Sequence, residues 1–228
     1  MRAEKRAPSA GEPGRQHAYE QLRQAILAGD VAPGQRLVEE ELAGNFIVTR
    51  ASLRAALIDL TAEGLVERIP NRGARVRVIT LDEAVAITEC RMALEGLCAA
   101  KAAERVTDVQ IAQLQGLGGQ LHRAVADGNP LKYSALNRDL HGLVLEISGQ
   151  AVAAGLLARL NGQFVRHQFQ LSLRPGRPQQ SLPEHLAIID AIASRDPAKA
   201  EEVARRHLRS VVRALHETTG RDTEEPFQ

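Results

Sequence analysis

Three histidines fall on three separate stretches of helical periodicity. His185 shares a face with Ile188, Ile189 and Ile192, and His207 with Val203, Val211 and Leu215. His141 flanks the stripe of Leu136, Leu140, Leu143 and Ile147, with Asn137 one turn before it. A single imidazole on an apolar stripe is more often a satisfied core residue. Three on separate helices, with a paired amide, point to convergence inside a helical bundle, where such groups can hold a divalent ion.

A second constellation lies in VTRASLRAAL, residues 48–57. Arg50 and Arg54 stand one helical turn apart, flanked by Thr49 and Ser52, while Leu53, Leu57 and Leu60 run along another side. Guanidinium groups near the start of a helix suit guanine O6 and N7 in a major groove, and hydroxyls there suit phosphate oxygens. Further on, Arg72 and Gly73 sit at a turn, with Arg75 and Arg77 alternating onto one face behind it. Two arginines a turn apart often mark only a solvated face. The order helix, helix, arginine-bearing helix, basic-tipped hairpin is far more specific.

Arg91 lies between Ile87 and Leu94 on the inward face of its helix. A buried guanidinium needs a partner. Glu95, one turn on, is one choice, and the carboxylate of a small effector is the other. Arg159 and Arg166, on a later helix, are further effector-binding candidates. His17, His122, His167 and His216 show no convergence and read as surface or local packing residues.

These side chains need elements to hold them. Residues 15–28 have helical periodicity, ended by Gly29 and Pro33; 38–46 and 48–64 make two more helices, the last closed by Gly64. LVERIP and ARVRVIT are β-prone runs around a tip at 71–73. Three helices and a hairpin make a winged helix-turn-helix. From Thr80 onward the strand signals vanish. Thr80 with Glu83, Thr107 with Gln110 and Ser181 with Glu184 read as capping boxes, and Asp196-Pro197 as an N-cap. Six helices are predicted, over roughly 82–104, 108–127, 130–148, 150–173, 182–194 and 197–218, with DGNP and RPGRPQQ as breaks. The fold class is therefore mainly α, an N-terminal winged helix-turn-helix (15–79) followed by an all-helical antiparallel bundle (80–220), with tails at 1–14 and 221–228.

Composition agrees with two globular domains: 228 residues, 44% hydrophobic, 25% charged, 3% aromatic, no Trp. A net charge of +1 means nucleic-acid affinity must come from local basic clustering. Cys90 and Cys98, eight residues apart on one helix, are separated by roughly 12 Å, too far for a disulfide; both read as buried small apolar residues. No apolar run approaches a membrane span, and a cytoplasmic protein is expected.

The stretch APGQRLVEEELAGNFIVTRASLRAALIDLTAEGLVERIPNRGARV resembles the DNA-binding domain of the GntR family of bacterial transcription regulators. The resemblance rests on the PG-x-x-L turn, E-x-x-LA, V-T-R-x-x-L-R, L-x-x-EGLV and the RG wing. It implies operator contacts by Thr49, Arg50, Ser52, Arg54, Arg72, Gly73 and Arg75. Ala55 stands in place of a usual Glu, Ala51-Ser52 in place of Thr-Pro or Thr-Thr, Asn45-Phe46-Ile47 in place of Leu-Gly, and Glu40 where some relatives carry a DNA-contacting Arg. The pieces RMALEGLCA, NRDLHGLVLEISG, EHLAIIDAIASRDPAKA and RRHL resemble the FCD ligand-binding domain of the FadR subfamily.

That second resemblance implies a metal held by an Asp and three His, positions occupied here by Asn137, His141, His185 and His207. Zinc is the first choice, nickel or manganese the alternatives. Asp139 is turned about 200° from the ligand face and cannot replace the missing Asp. The expected protein is a homodimeric, non-enzymatic regulator, a repressor by the commoner pattern among relatives. It would meet a palindromic operator, away from any membrane, and answer a small carboxylate bound with help from Arg91, Arg159 or Arg166. Its rivals are a metal-dependent hydrolase carrying a DNA-binding module, for which Glu184 is the one carboxylate that stands out beside the three converging histidines, and a regulator that binds its effector without metal.

Overall fold

The computed structural model describes residues 9–70 and 72–219, without the side chains of 164–170, 172–173 and 218–219. The chain divides into two compact units, Met1–Ile79 and Thr80–Gln228.

In the first unit, α1 (Gly11–Ala28) is followed by β1 (Arg36–Leu37), α2 (Glu39–Phe46), α3 (Arg50–Ala62), β2 (Val66–Ile69) and β3 (Gly73–Val76). Leu22 on α1 and Leu53 and Leu60 on α3 are fully buried, so the apolar stripe of α3 faces inward and leaves the opposite side for Arg50 and Arg54. Thr49 caps α3, its hydroxyl accepting from Ser52 N. Ile47 makes the turn between α2 and α3 in the left-handed region, φ 54°, an unfavourable place for a β-branched residue. The α1 helix starts at Gly11, four residues before the start expected from periodicity. Ser9 bridges in parallel to Val48, and this pairing anchors the helix start. Gly14 sits so close that a Cβ there would lie 2.5 Å from Ser9 O and 2.9 Å from Ser52 Oγ.

The hairpin gains a third strand that the sequence did not announce. The sheet order is β1-β3-β2, all antiparallel, with Arg36 opposite Arg75 and Glu67 opposite Arg75 on the other side. A two-residue strand carries too little alternation to be seen without its partner.

The second unit is a bundle of α4 (Leu81–Arg105), α5 (Asp108–Ala126), α6 (Pro130–Ser148), α7 (Ala151–Leu173), α8 (Arg177–Ala193) and α9 (Pro197–Thr219). The Thr107–Gln110 box is complete in both directions, and Asn129 and Asp196 cap α6 and α9 through their carboxamide and carboxylate oxygens. Its core is aliphatic, with Leu114, Leu121, Leu140, Leu157, Ile192 and Leu208 fully buried. Two expectations are corrected here. The α8 helix begins at Arg177, not at residue 182: Gly176 takes the left-handed conformation before it, and Pro178 occupies the first turn, where a missing N–H costs nothing. Ser181 therefore lies inside the helix and caps nothing. Cys98 is buried as expected, but Cys90 is exposed.

Candidate metal centre and nucleic-acid interface

The bundle brings His141 from α6, His185 from α8 and His207 from α9 to one place. Ring centroids are 5.5 Å apart for His141–His185, 5.6 Å for His141–His207 and 4.5 Å for His185–His207. One nitrogen from each ring lies within 4.8 Å of the others. His185 and His207 are buried, while His141 keeps a quarter of its side chain exposed.

Each Nδ1 has a protein partner. His141 Nδ1 lies 3.2 Å from Glu95 Oε2, His185 Nδ1 is 2.8 Å from the Tyr133 hydroxyl, and His207 Nδ1 is 2.8 Å from Glu184 Oε2. A carboxylate can only accept, so His141 and His207 each donate from Nδ1 and keep a bare lone pair on Nε2. Donation from His185 Nδ1 to Tyr133 gives the same form. Among the described residues, neither His185 Nε2 nor Asn137 Oδ1, both buried, has a hydrogen-bond partner. Orphaned buried acceptors are costly, and three lone-pair nitrogens plus an amide oxygen are a ligand set for a divalent cation. The residues fit the ion.

Outer partners hold the imidazoles in that form. Arg91 donates from Nε to Glu95 Oε1 at 2.9 Å, and Glu95 uses its other oxygen for His141. Burial alone would raise the Glu95 carboxyl, but Arg91 and His141 hold it well below the usual carboxylate range. On the opposite side, Arg177 Nη1 donates to Ser210 Oγ at 3.0 Å and its Nη2 lies 3.9 Å from Glu184. Burial pushes Glu184 up as well, and the bonds from His207 and Ser210 more than offset it, so it too stays ionised. Burial and the neighbouring imidazoles depress the His185 pKa far below its ordinary value, and burial lowers that of His207 despite Glu184. Both rings are therefore unprotonated at neutral pH, the state a metal requires. Arg177, Glu184 as a histidine partner and Tyr133 were not singled out from sequence. With α8 extended to Arg177, the spacing 177, 181, 185 puts Arg177 and His185 on one face, a signal hidden by reading RPGRPQQ as a break.

In the first unit, Arg50 and Arg54 project from the exposed side of α3. Arg50 Nη2 pairs with Glu40 and Arg54 Nε with Glu39 at 2.6 Å, both carboxylates coming from the first turn of α2. Arg72 and Gly73 are exposed at the hairpin, Gly73 at φ 85°. Arg75 is half-buried and bonds Glu67 across the strands at 2.6 Å.

Residues 15–76 match the model of bacterial regulatory proteins of the gntR family, and residues 86–210, more than half of the chain, match the FCD domain. The chain belongs to the GntR family. It is 27% identical over 206 residues to the HTH-type transcriptional repressor RspR of Escherichia coli (strain K12), covering 90% of each chain. It is 29% identical over 244 residues to the HTH-type transcriptional repressor NanR of Salmonella newport (strain SL254), covering 94% of this chain and 90% of that one. The structure of E. coli McbR/YncC superposes with a TM-score of 0.73 at 18% identity, over 90% of this chain and 98% of that one, a likeness of fold.

This GntR-family chain is thus a DNA-binding transcription regulator with an FCD domain, the effector-binding part of the architecture. No helix among its described residues is long and apolar enough to cross a membrane. One residue assigned to the operator is corrected by the geometry. Ser52 is 4% exposed, and its hydroxyl donates to Gly11 O at 3.3 Å, so α1 covers it. Of the effector candidates, Arg91 is buried and engaged by Glu95, Arg159 is exposed on α7, and the side chain of Arg166 lies outside the described residues. Asp139 is exposed, as its helical position requires.

Proposed function

We propose that this regulator is a cytoplasmic homodimeric repressor whose FCD domain holds a divalent ion, zinc first, and reports a small carboxylate. Asn137 Oδ1 and the Nε2 atoms of His141, His185 and His207 are the ligands. The observation that carries this reading is that all three Nδ1 atoms are occupied while His185 Nε2 and Asn137 Oδ1 have no partner among the described residues. Bound there, the ion would supply a Lewis-acidic position open to an oxygen anion.

Charge favours an anion. The four ligands are neutral, and the two outer carboxylates, Glu95 and Glu184, each face an arginine, so the chain leaves the ion's charge largely uncancelled. Arg91 serves this reading as the support of Glu95; a direct grip on the effector by Arg91, Arg159 or Arg166 adds a second contact. Thr49, Arg50, Arg54, Arg72, Gly73 and Arg75 meet each half of a palindromic operator. A sensor is favoured over a hydrolase because Glu184, the carboxylate beside His185 in sequence, is bound by His207 and not poised to take a proton from water.

Metal analysis of the purified full chain, before and after chelation, combined with thermal shift against a panel of carboxylic acids with and without zinc, tests this. One metal per chain and acid-dependent stabilisation only with metal are expected. Equal stabilisation of the chelated protein would replace the metal sensor with a regulator whose imidazoles bind the effector directly.

A further inference from the structure

The two arginines on the exposed side of α3 are not bare cations. Glu40 stands at the start of α2 with 76% of its side chain exposed, and it pairs with Arg50, whose side chain is 59% exposed. Glu39 is more enclosed, at 24%, and bonds Arg54 Nε. In a helix-turn-helix the second helix enters the major groove while the first crosses the backbone. Glu40, paired with the first residue of the groove helix, therefore sits at the edge of the groove, where both a phosphate and a base edge would approach. A carboxylate there is repelled by phosphate and cancels the attraction of Arg50 for it. Such an arrangement weakens binding to DNA backbone and gains nothing unless the carboxylate itself finds a donor. The major-groove edge offers one: the N4 amino group of cytosine donates, next to guanine O6 and N7, which take an arginine.

We propose that Glu40 is a specificity-determining residue. It accepts a hydrogen bond from the N4 amino group of a cytosine in the base pair adjacent to the one Arg50 reads, and it penalises complexes in which Arg50 merely grips phosphate. Glu39, facing Arg54 from a more buried position, is a positioning residue. The proposal rests on α3 being the groove helix and goes beyond it by giving an acidic side chain a base to read.

The test uses the full chain and a random-sequence duplex library, from which wild type, Glu40→Ala and Glu40→Gln each select binding sites. Affinity for one random 30-base-pair duplex is then measured across a salt series. Wild type should enrich one cytosine per half-site that Glu40→Ala ceases to distinguish, with the rest of the consensus kept. Glu40→Gln should move that preference toward adenine, whose N6 and N7 suit an amide. Glu40→Ala should bind the random duplex roughly tenfold more tightly, with a salt slope steeper by about one phosphate. The same consensus from all three proteins overturns the proposal, even if the salt slope steepens, since Glu40 would then be only a repelling charge. Loss of selectivity spread over the whole half-site overturns it too. A wild-type protein that enriches no consensus removes the groove reading of α3 and this proposal with it.

Discussion

The proposed metal centre turns on one side chain. With Asn137 at the position where the family resemblance implies an Asp, the proposed inner ligands are uncharged, and an ion there would be held by lone pairs alone. Asn137→Asp should tighten metal binding, by roughly tenfold or more given about 4 kcal/mol for close opposite charges at an effective dielectric near 20, less desolvation. The same change should weaken the anionic effector; competition with a chelating dye and a titration of the acid read the two directions. His185→Ala should abolish stoichiometric metal. On α3, Arg54→Ala should relax base preference at one position, costing about 1–3 kcal/mol against the selected operator. Arg72→Ala at the wing should lower the salt slope by about one and leave the consensus unchanged. Equal, small effects from both would count against the groove assignment.

Elements position these side chains through a few local devices. Thr107 and its reciprocal partner Gln110 fix the start of α5, so Thr107→Ala should cost about 1 kcal/mol, seen as a lowered denaturant midpoint at constant slope. Ile47 is the opposite case. Its left-handed backbone is costly for a β-branched residue, and the side chain is 46% exposed, so it recovers little by burial. Ile47→Asn should therefore stabilise the first unit by about 1 kcal/mol; a neutral or negative change in the denaturation curve would mean that the exposed isoleucine is held by a contact in the dimer or on DNA. The extension of α8 back to Arg177 matters most for function, because it adds Arg177 to the face that carries His185.

Across the whole molecule, the proposed function requires sensing and reading to be coupled through the proposed dimer. An acid that binds the metal-loaded FCD domain changes operator affinity only if the two dimer arrangements bind it unequally, and a coupling of about 1–3 kcal/mol is a measurable switch. Chelation should lower the melting temperature and abolish the response of operator binding to the acid. Light scattering should give twice the mass of 24.8 kDa. A monomer that still protects both half-sites would overturn the dimeric arrangement.

Periodicity and spacing alone made much of this legible. The apolar stripes of α6, α8 and α9 placed His141, His185 and His207 inside a bundle, and the leucines of α3 turned Arg50 and Arg54 outward, because burial of one face dictates where the other points. The partners were not legible. Glu95 meets His141, Tyr133 meets His185 and Glu184 meets His207 across tens of residues, and no local pattern encodes such pairs. Glu184 even had a plausible local role, as the acid of a capping box, until α8 proved to start at Arg177. Ser52 looked like a surface hydroxyl until α1 was seen to cover it. Sequence determined which residue types lay on which faces; tertiary packing decided which faces met, and so which lone pairs were left without a partner.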